Sequence, residues 1–302
     1  MSYRGPQNHM FLYHAYALAL GGWVQDKEQH ILPIHVAPSV LPFTGGYGSN
    51  SAENVNLGFP LKFPFGTQGP ADFHIYIGRA YTEVSGVDVD DENPFGIYKT
   101  TARSILDDVR INDVFSVQHA EAILTSTHEK PSARNPNPEG RVVVGDSDMF
   151  GVRVSGKDVG LAKRDYVDRE PTFTRMQQLM TPAPVGAGGG GGGWIDELLD
   201  WQDPAAVPPD APDFDYARDI ATMNQRTDRK VRYSIFQRLG DVPGLKTFRS
   251  SIYVPDFGRI FLGEVIASHG TKQVTMFRID LGCDNCGGVG GSGGSTNGGP
   301  LP

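Results

Sequence analysis

The chain has 302 residues, among them 38 glycines and 22 prolines, with 39 % hydrophobic and 21 % charged residues and a formal net charge of −8. This length suits one large β domain or two small ones, and the glycine and proline content favours strands and turns over helices. The acidic balance excludes a general phosphate-backbone binder, which needs a basic face to displace counterions.

The first apolar stretch, in MSYRGPQNHMFLYHAYALALGGWV, is a poor leader peptide: it has one flanking Arg4, His14 interrupts it, and no small-residue cleavage site follows. It is also too short and interrupted to span a membrane as a helix. It reads as a buried strand over 11–24, with the cytoplasm as the default location and secretion or surface display as the alternative. A second strand is expected over 30–40. In FHIYIGRAYTEV, Phe73, Ile75 and Ile77 fall on one face and His74, Tyr76 and Gly78 on the other, the period of a half-buried strand. Further strands are expected over 97–105 and 114–125. DVRINDVFSV and GVRVSGKDVGL both read as hairpins, because Asn112-Asp113 and Ser155-Gly156 accept the positive φ of tight turns.

The composition then changes. Six consecutive glycines at 188–193 precede WIDELLDWQ and FDYARDIATMN, two short amphipathic helix candidates separated by the proline-rich DPAAVPPDAP. Trp194 and Trp201 flank the first candidate and could dock a partner or cap the core. β-type runs return from 231, at roughly ten-residue spacing.

Three stretches, HAYALALGGWV, ARSILDDVRINDVFSVQHAEAIL and FGRIFLGEVI with VTMFRIDLGC, resemble a family of uncharacterised bacterial proteins. The middle stretch is also similar to surface-anchored bacterial β-domains. The resemblance implies a bacterial source and a β-rich fold, and carries over no active-site residue.

Candidate chemistry is sparse. Cys283 and Cys286, in LGCDNCGG, are the only cysteines. A structural zinc site wants four ligands and a thioredoxin-like pair wants a helix after it; neither context is present. Plain thiols, a local disulfide and a metal-ligand pair all fit the pattern. In GVDVDDENPFG, Asp88, Asp90 and Glu92 could share a cation, but Asn93 stands where a calcium loop needs glycine and Lys99 where it needs glutamate, so a solvated acidic turn is expected. GDSDMFG, with Asp146 and Asp148, is weaker. The eight histidines are scattered. His119 and Glu121 share one strand face, a geometry open to acid–base chemistry, a metal, or plain solvation. No phosphate loop, dinucleotide fingerprint or nucleophile elbow occurs.

The expected protein is mainly β, an antiparallel sandwich or barrel-like pair of sheets with a short, partly helical insertion and disordered glycine-rich segments. Residues 1–180 form the first part of a single β domain, 181–230 a Gly/Pro-rich connector with short helices, 231–282 the strands completing that domain, and 283–302 a disordered tail. The expected function is a binding or structural module for a protein or carbohydrate partner, with no nucleic acid and no membrane span. The alternative is a metal-dependent hydrolase or cupin-like enzyme with its site inside a barrel. The sequence names no cofactor.

Overall fold

Alternating apolar residues and tight turns build almost every element. The computed structural model describes residues 11–25, 30–59, 73–89, 96–130, 132, 134, 135, 138–164, 172–180, 231–248, 250–255, 257–268, 271–281 and 287–300. The first six strands are long: β1 (Phe11–Gln25), β2 (Ile31–Val40), β3 (Gly46–Phe59), β4 (Phe73–Val89), β5 (Ile97–Ile111) and β6 (Phe115–Glu129). Short ones follow: β7 (Arg141–Val143), β8 (Asp148–Phe150), β9 (Arg153–Val154), β10 (Lys157–Asp158) and β11 (Gly160–Lys163). Helix α1 (Phe173–Met180) starts at Thr172, whose Oγ1 accepts from the Arg175 N–H at 3.1 Å, and it buries Phe173 and Met176. The chain returns as β12 (Val231–Ser234), β13 (Phe236–Leu239), β14 (Lys246–Phe248), β15 (Ser251–Val254), β16 (Gly258–Ala267), β17 (Lys272–Leu281) and β18 (Gly287–Pro300).

These strands form two packed antiparallel sheets. The front sheet runs β14-β15-β16-β17-β18-β1-β2, with β12 also on β16. The back sheet runs β10-β9-β6-β5-β4-β3, with β7 and β8 also on β6. β11 and β13 pair separately, and the sheets do not close into a barrel. Both predicted tight turns are present: Asn112 and Asp113 take φ of 49° and 51°, Ser155 and Gly156 take 49° and 74°. The hexaglycine run, both connector helix candidates, Trp194 and Trp201, Asp90, Glu92, Cys283 and Cys286 lie outside the described residues.

The expected disordered tail is the main correction. Gly287–Pro300 is a strand hydrogen-bonded on both sides, from Phe11↔Pro300 to Val24↔Gly287 on β1 and from Lys272↔Thr296 to Asp280↔Gly288 on β17. Composition misled because glycine has little strand propensity of its own. Here it is needed for close approach: a Cβ on Gly291 would lie 2.0 Å from the Phe277 ring, and one on Gly22 2.1 Å from the Gly288 carbonyl. β3 was also missed, since GYGSNSAENVNLGF is a polar edge strand with little apolar alternation.

Each sheet is creased across its middle. In the back sheet the pairing passes over Asn54, Gly78, Asp108 and Gln118, one on each of four neighbouring strands. In the front sheet it passes over Ala37, Ala19, Ser292, Met276 and Gly263. Alternate strands of each row are left-handed there, at Asn54 and Asp108 and at Ala37, Ser292 and Gly263. Side-chain parity flips at the crease: β4 buries Phe73, Ile75 and Ile77 before it, then Ala80, Thr82 and Val84. The crease crosses the interior. The main core spans it, and a smaller group of Phe11, Tyr13, Ala15, Ala17, Leu41, Val84 and Ala102 packs separately on one side.

At the crease the layers come close enough for hydroxyls of one sheet to reach the backbone of the other. Ser292 Oγ donates to Ser104 O at 2.8 Å and accepts from the Ala122 N–H at 3.1 Å. Ser104 Oγ donates to Leu18 O at 3.2 Å, and Thr82 Oγ1 to Ala37 O at 2.7 Å. Ser292→Ala leaves a buried N–H and a buried carbonyl without this partner. It is expected to lower unfolding free energy by about 2 kcal/mol, read from urea denaturation.

Candidate functional site

Three polar constellations stand out, and only one was anticipated from the sequence. That one lies on the open outer face of the back sheet. Cross-strand register lines up Glu53, Arg79, Asp107, His119 and Phe150 on five strands. His119 Nδ1 lies 2.6 Å from Asp107 Oδ1, its Nε2 3.7 Å from Glu121 Oε2, and its ring stacks on Phe150 at 5.0 Å. Arg103 holds Glu121 at 2.7 Å and Arg79 approaches Asp107 at 3.7 Å. The carboxylates are therefore matched by cations, and the row reads as a charge ladder across a sheet surface. Among the described residues no group of three or more His, Cys, Asp or Glu is placed to hold a metal ion. Beside the ladder, the Tyr81 phenol is pushed up from its ordinary pKa, first by its hydrogen bond with Tyr47 and also by burial and Glu83.

Asp88, the described member of the acidic turn, pairs through Oδ2 with Lys130 Nζ at 3.0 Å, and Lys130 sits 5.7 Å from the centre of the Tyr98 ring.

The second constellation is a cleft of about 910 Å3 at one end of the sandwich. The end of β3, the start of β4, the β5–β6 turn and the β15–β16 turn converge there. Ile75, Val254 and Phe257, all buried, supply an apolar base together with Leu57 and Val114. The rim carries Asn56, His74, Tyr76, Arg110, Asn112 and Asp113. Local chemistry fixes that rim. Asn112 Oδ1 accepts from the His74 N–H at 2.6 Å, and the Asn112 N–H donates to His74 O at 3.1 Å. The Arg110 guanidinium lies 5.3 Å from the Tyr76 ring centre and pairs with both oxygens of Asp108 at 3.1 and 3.0 Å. Asp108 is itself the crease residue of β5, two positions before Arg110 on the cleft rim. Nothing in the one-dimensional pattern marks these residues beyond the hairpin turn, because four separate segments supply them.

The third is buried between the layers on the small-core side: Thr100, Ser126, His128, Lys272 and Thr296. Burial, with Lys272 nearby, lowers the His128 pKa to about 4. Burial also lowers that of Lys272, against an opposing pull from Glu139.

Two creased antiparallel sheets packed against each other define an all-β sandwich. The sequence matches the family described as Domain of unknown function (DUF8256) over residues 11–268, and the chain belongs to that family. No curated protein matches it. Among the described residues no helix is long and apolar enough to cross a membrane.

Proposed function

We propose that the protein is a binding module and that the end cleft takes a carbohydrate. The observation that carries this reading is the rim itself. Tyr76 offers an aromatic ring with the Arg110 guanidinium over it, beside hydrogen-bonding groups from Asn56, His74, Asn112 and Asp113. A sugar ring presents that combination in reverse, an apolar C–H face edged by hydroxyls. The cleft volume of about 910 Å3 lies in the range of small-ligand sites, and its base is preformed by core residues. The balanced charge of Arg110 favours a neutral hydroxylated ligand over a strong anion.

The enzyme alternative places histidine and carboxylates together inside a barrel. Here the sheets stay open, and His119, which lies against two carboxylates, sits on an outer face with both acids already matched by arginines.

Oligosaccharides screened by affinity electrophoresis and calorimetry test the proposal. Tyr76→Ala and Arg110→Ala are expected to weaken binding at least tenfold, through lost stacking and lost donors, with circular dichroism unchanged. Absence of binding to any glycan tested, or binding indifferent to both substitutions, would overturn it.

A further inference from the structure

We propose that the enclosure formed by Thr100, Ser126, Lys272 and Thr296, between the two sheets, binds a small monovalent anion of halide size. Register brings these residues together. Thr100 pairs with Ser126 on β5 and β6, and Lys272 pairs with Thr296 on β17 and β18. The layers are locked face to face just beside them. Ser292 bonds Ser104, and a Cβ on Gly294 would lie 3.0 Å from Ala102 Cβ. Two residues further along each strand, Thr296 therefore faces Thr100, and Lys272 faces Ser126 and His128.

All of these side chains are buried: Thr100, Ser126 and Thr296 are fully inaccessible, and Lys272 is 2 % exposed. Yet Thr100 Oγ1, Ser126 Oγ, Thr296 Oγ1 and His128 Nδ1 have no hydrogen-bond partner. Buried hydroxyls left like this cost free energy, and several in one place are not expected of a packed interior. The set is also unbalanced in sign. Lys272 brings an ammonium, and no ion pair to it forms among the described residues. Glu139 acts on it from the segment before β7, but Glu139 Oε1 already accepts from the Thr174 N–H at 2.8 Å.

A guest that satisfies this enclosure must accept several hydrogen bonds at once and carry negative charge. A water accepts two and carries none. The approach of Gly294 to Ala102 limits the guest to one or a few atoms. A halide meets all three conditions, and His128 can add a further donor in the tautomer protonated at Nδ1.

Bromide is the probe. Thermal unfolding of the full chain in sodium bromide, compared with sodium gluconate at equal ionic strength, is expected to show a rise of about 2–4 °C that grows with the logarithm of bromide concentration above the dissociation constant, the response to roughly 1 kcal/mol of ligand linkage. Lys272→Met should abolish the difference between the salts. Thr296→Val keeps the charge and shape but removes one hydroxyl, and should require about tenfold more bromide for the same rise. Crystals grown in bromide should show an anomalous peak within hydrogen-bond reach of Lys272 and Thr296. Equal responses to the two salts in the unsubstituted protein would overturn the proposal, as would waters alone at that position in the bromide crystals. Should Lys272→Met fail to fold, Thr296→Val and the anomalous peak decide the matter.

Discussion

A chain ending at Cys286 is expected not to fold cooperatively. The missing segment is a strand from the middle of the front sheet, with β1 on one side and β17 on the other. Its removal separates β1 and β2 from β12 and β14–β17 and leaves two raw edges where there were none. It also uncovers the inner faces of β5 and β6, where Ala102 and Ala122 pack under Gly294 and Ser292. Each ladder hydrogen bond is worth only about 0.5–1.5 kcal/mol net. About a dozen of them, with the buried area beneath, exceed the 5–15 kcal/mol that a domain has in total. Urea denaturation followed by tryptophan fluorescence should show no sigmoidal transition in the shortened chain. A synthetic peptide of residues 287–302, added in excess, should restore it by entering the open slot between β1 and β17. An unchanged transition midpoint in the shortened chain would instead mean that these residues contribute nothing to the sheet.

The same strand shows where sequence reasoning stopped. Strands with apolar alternation or an Asn-Asp or Ser-Gly turn beside them were legible, because each needs only local information. Phe73, Ile75 and Ile77 are buried together as their spacing requires. β18 was illegible because its stability is not its own. It offers Val289 as its one large apolar residue, and otherwise backbone, to be gripped by Phe277 on β17 and by β1. A run of glycine looks identical whether it is free or clamped. The creases were hidden for a related reason. Asn54, Asp108 and Gly263 tolerate left-handed backbone, but only the register of neighbouring strands shows that they line up.

The candidate sites follow the same division. His119 and Glu121 were visible as one face of a strand, yet their partners Asp107 and Arg103 come from the next strand, and those partners turn the pair into a charge ladder. Arg110, Tyr76 and Asn112 meet at the cleft through the β4–β5 register and the β5–β6 turn. Lys272 and His128 stand near strand ends, where nothing in the local sequence marks them as buried. Parity after the crease turns both inward: Lys272 and Val274 share the face that Phe277 and Ile279 take beyond Met276.

That inward turn leads to the second large expected effect, a loss of stability on mild acidification. His128 is 5 % exposed, with the Phe11 ring 5.2 Å away and Lys272 near it. Burial first, and the Lys272 charge second, lower its pKa from 6.5 to about 4. The unfolded chain therefore takes up a proton near pH 6.5 that the folded protein refuses until about pH 4. Stability from this group is complete above pH 6.5 and is lost as pH falls towards 4, by roughly 3 kcal/mol at 1.36 kcal/mol per pH unit. Lys272 acts in a different window. Its folded pKa is also lowered, so its effect develops as pH falls below the ordinary 10.5, with Glu139 opposing it. The measurement is unfolding free energy against pH from 7.5 to 4, in gluconate so that no halide is present. His128→Phe, which suits the aromatic neighbours Phe11 and Tyr98, should flatten the curve between pH 6.5 and 4. Lys272→Met should reduce the same loss without removing it, because desolvation of the imidazole remains when the repelling charge is gone. If His128→Phe loses stability with the slope of the unsubstituted protein, the acid sensitivity belongs to other groups and the neutral, buried state of His128 is refuted.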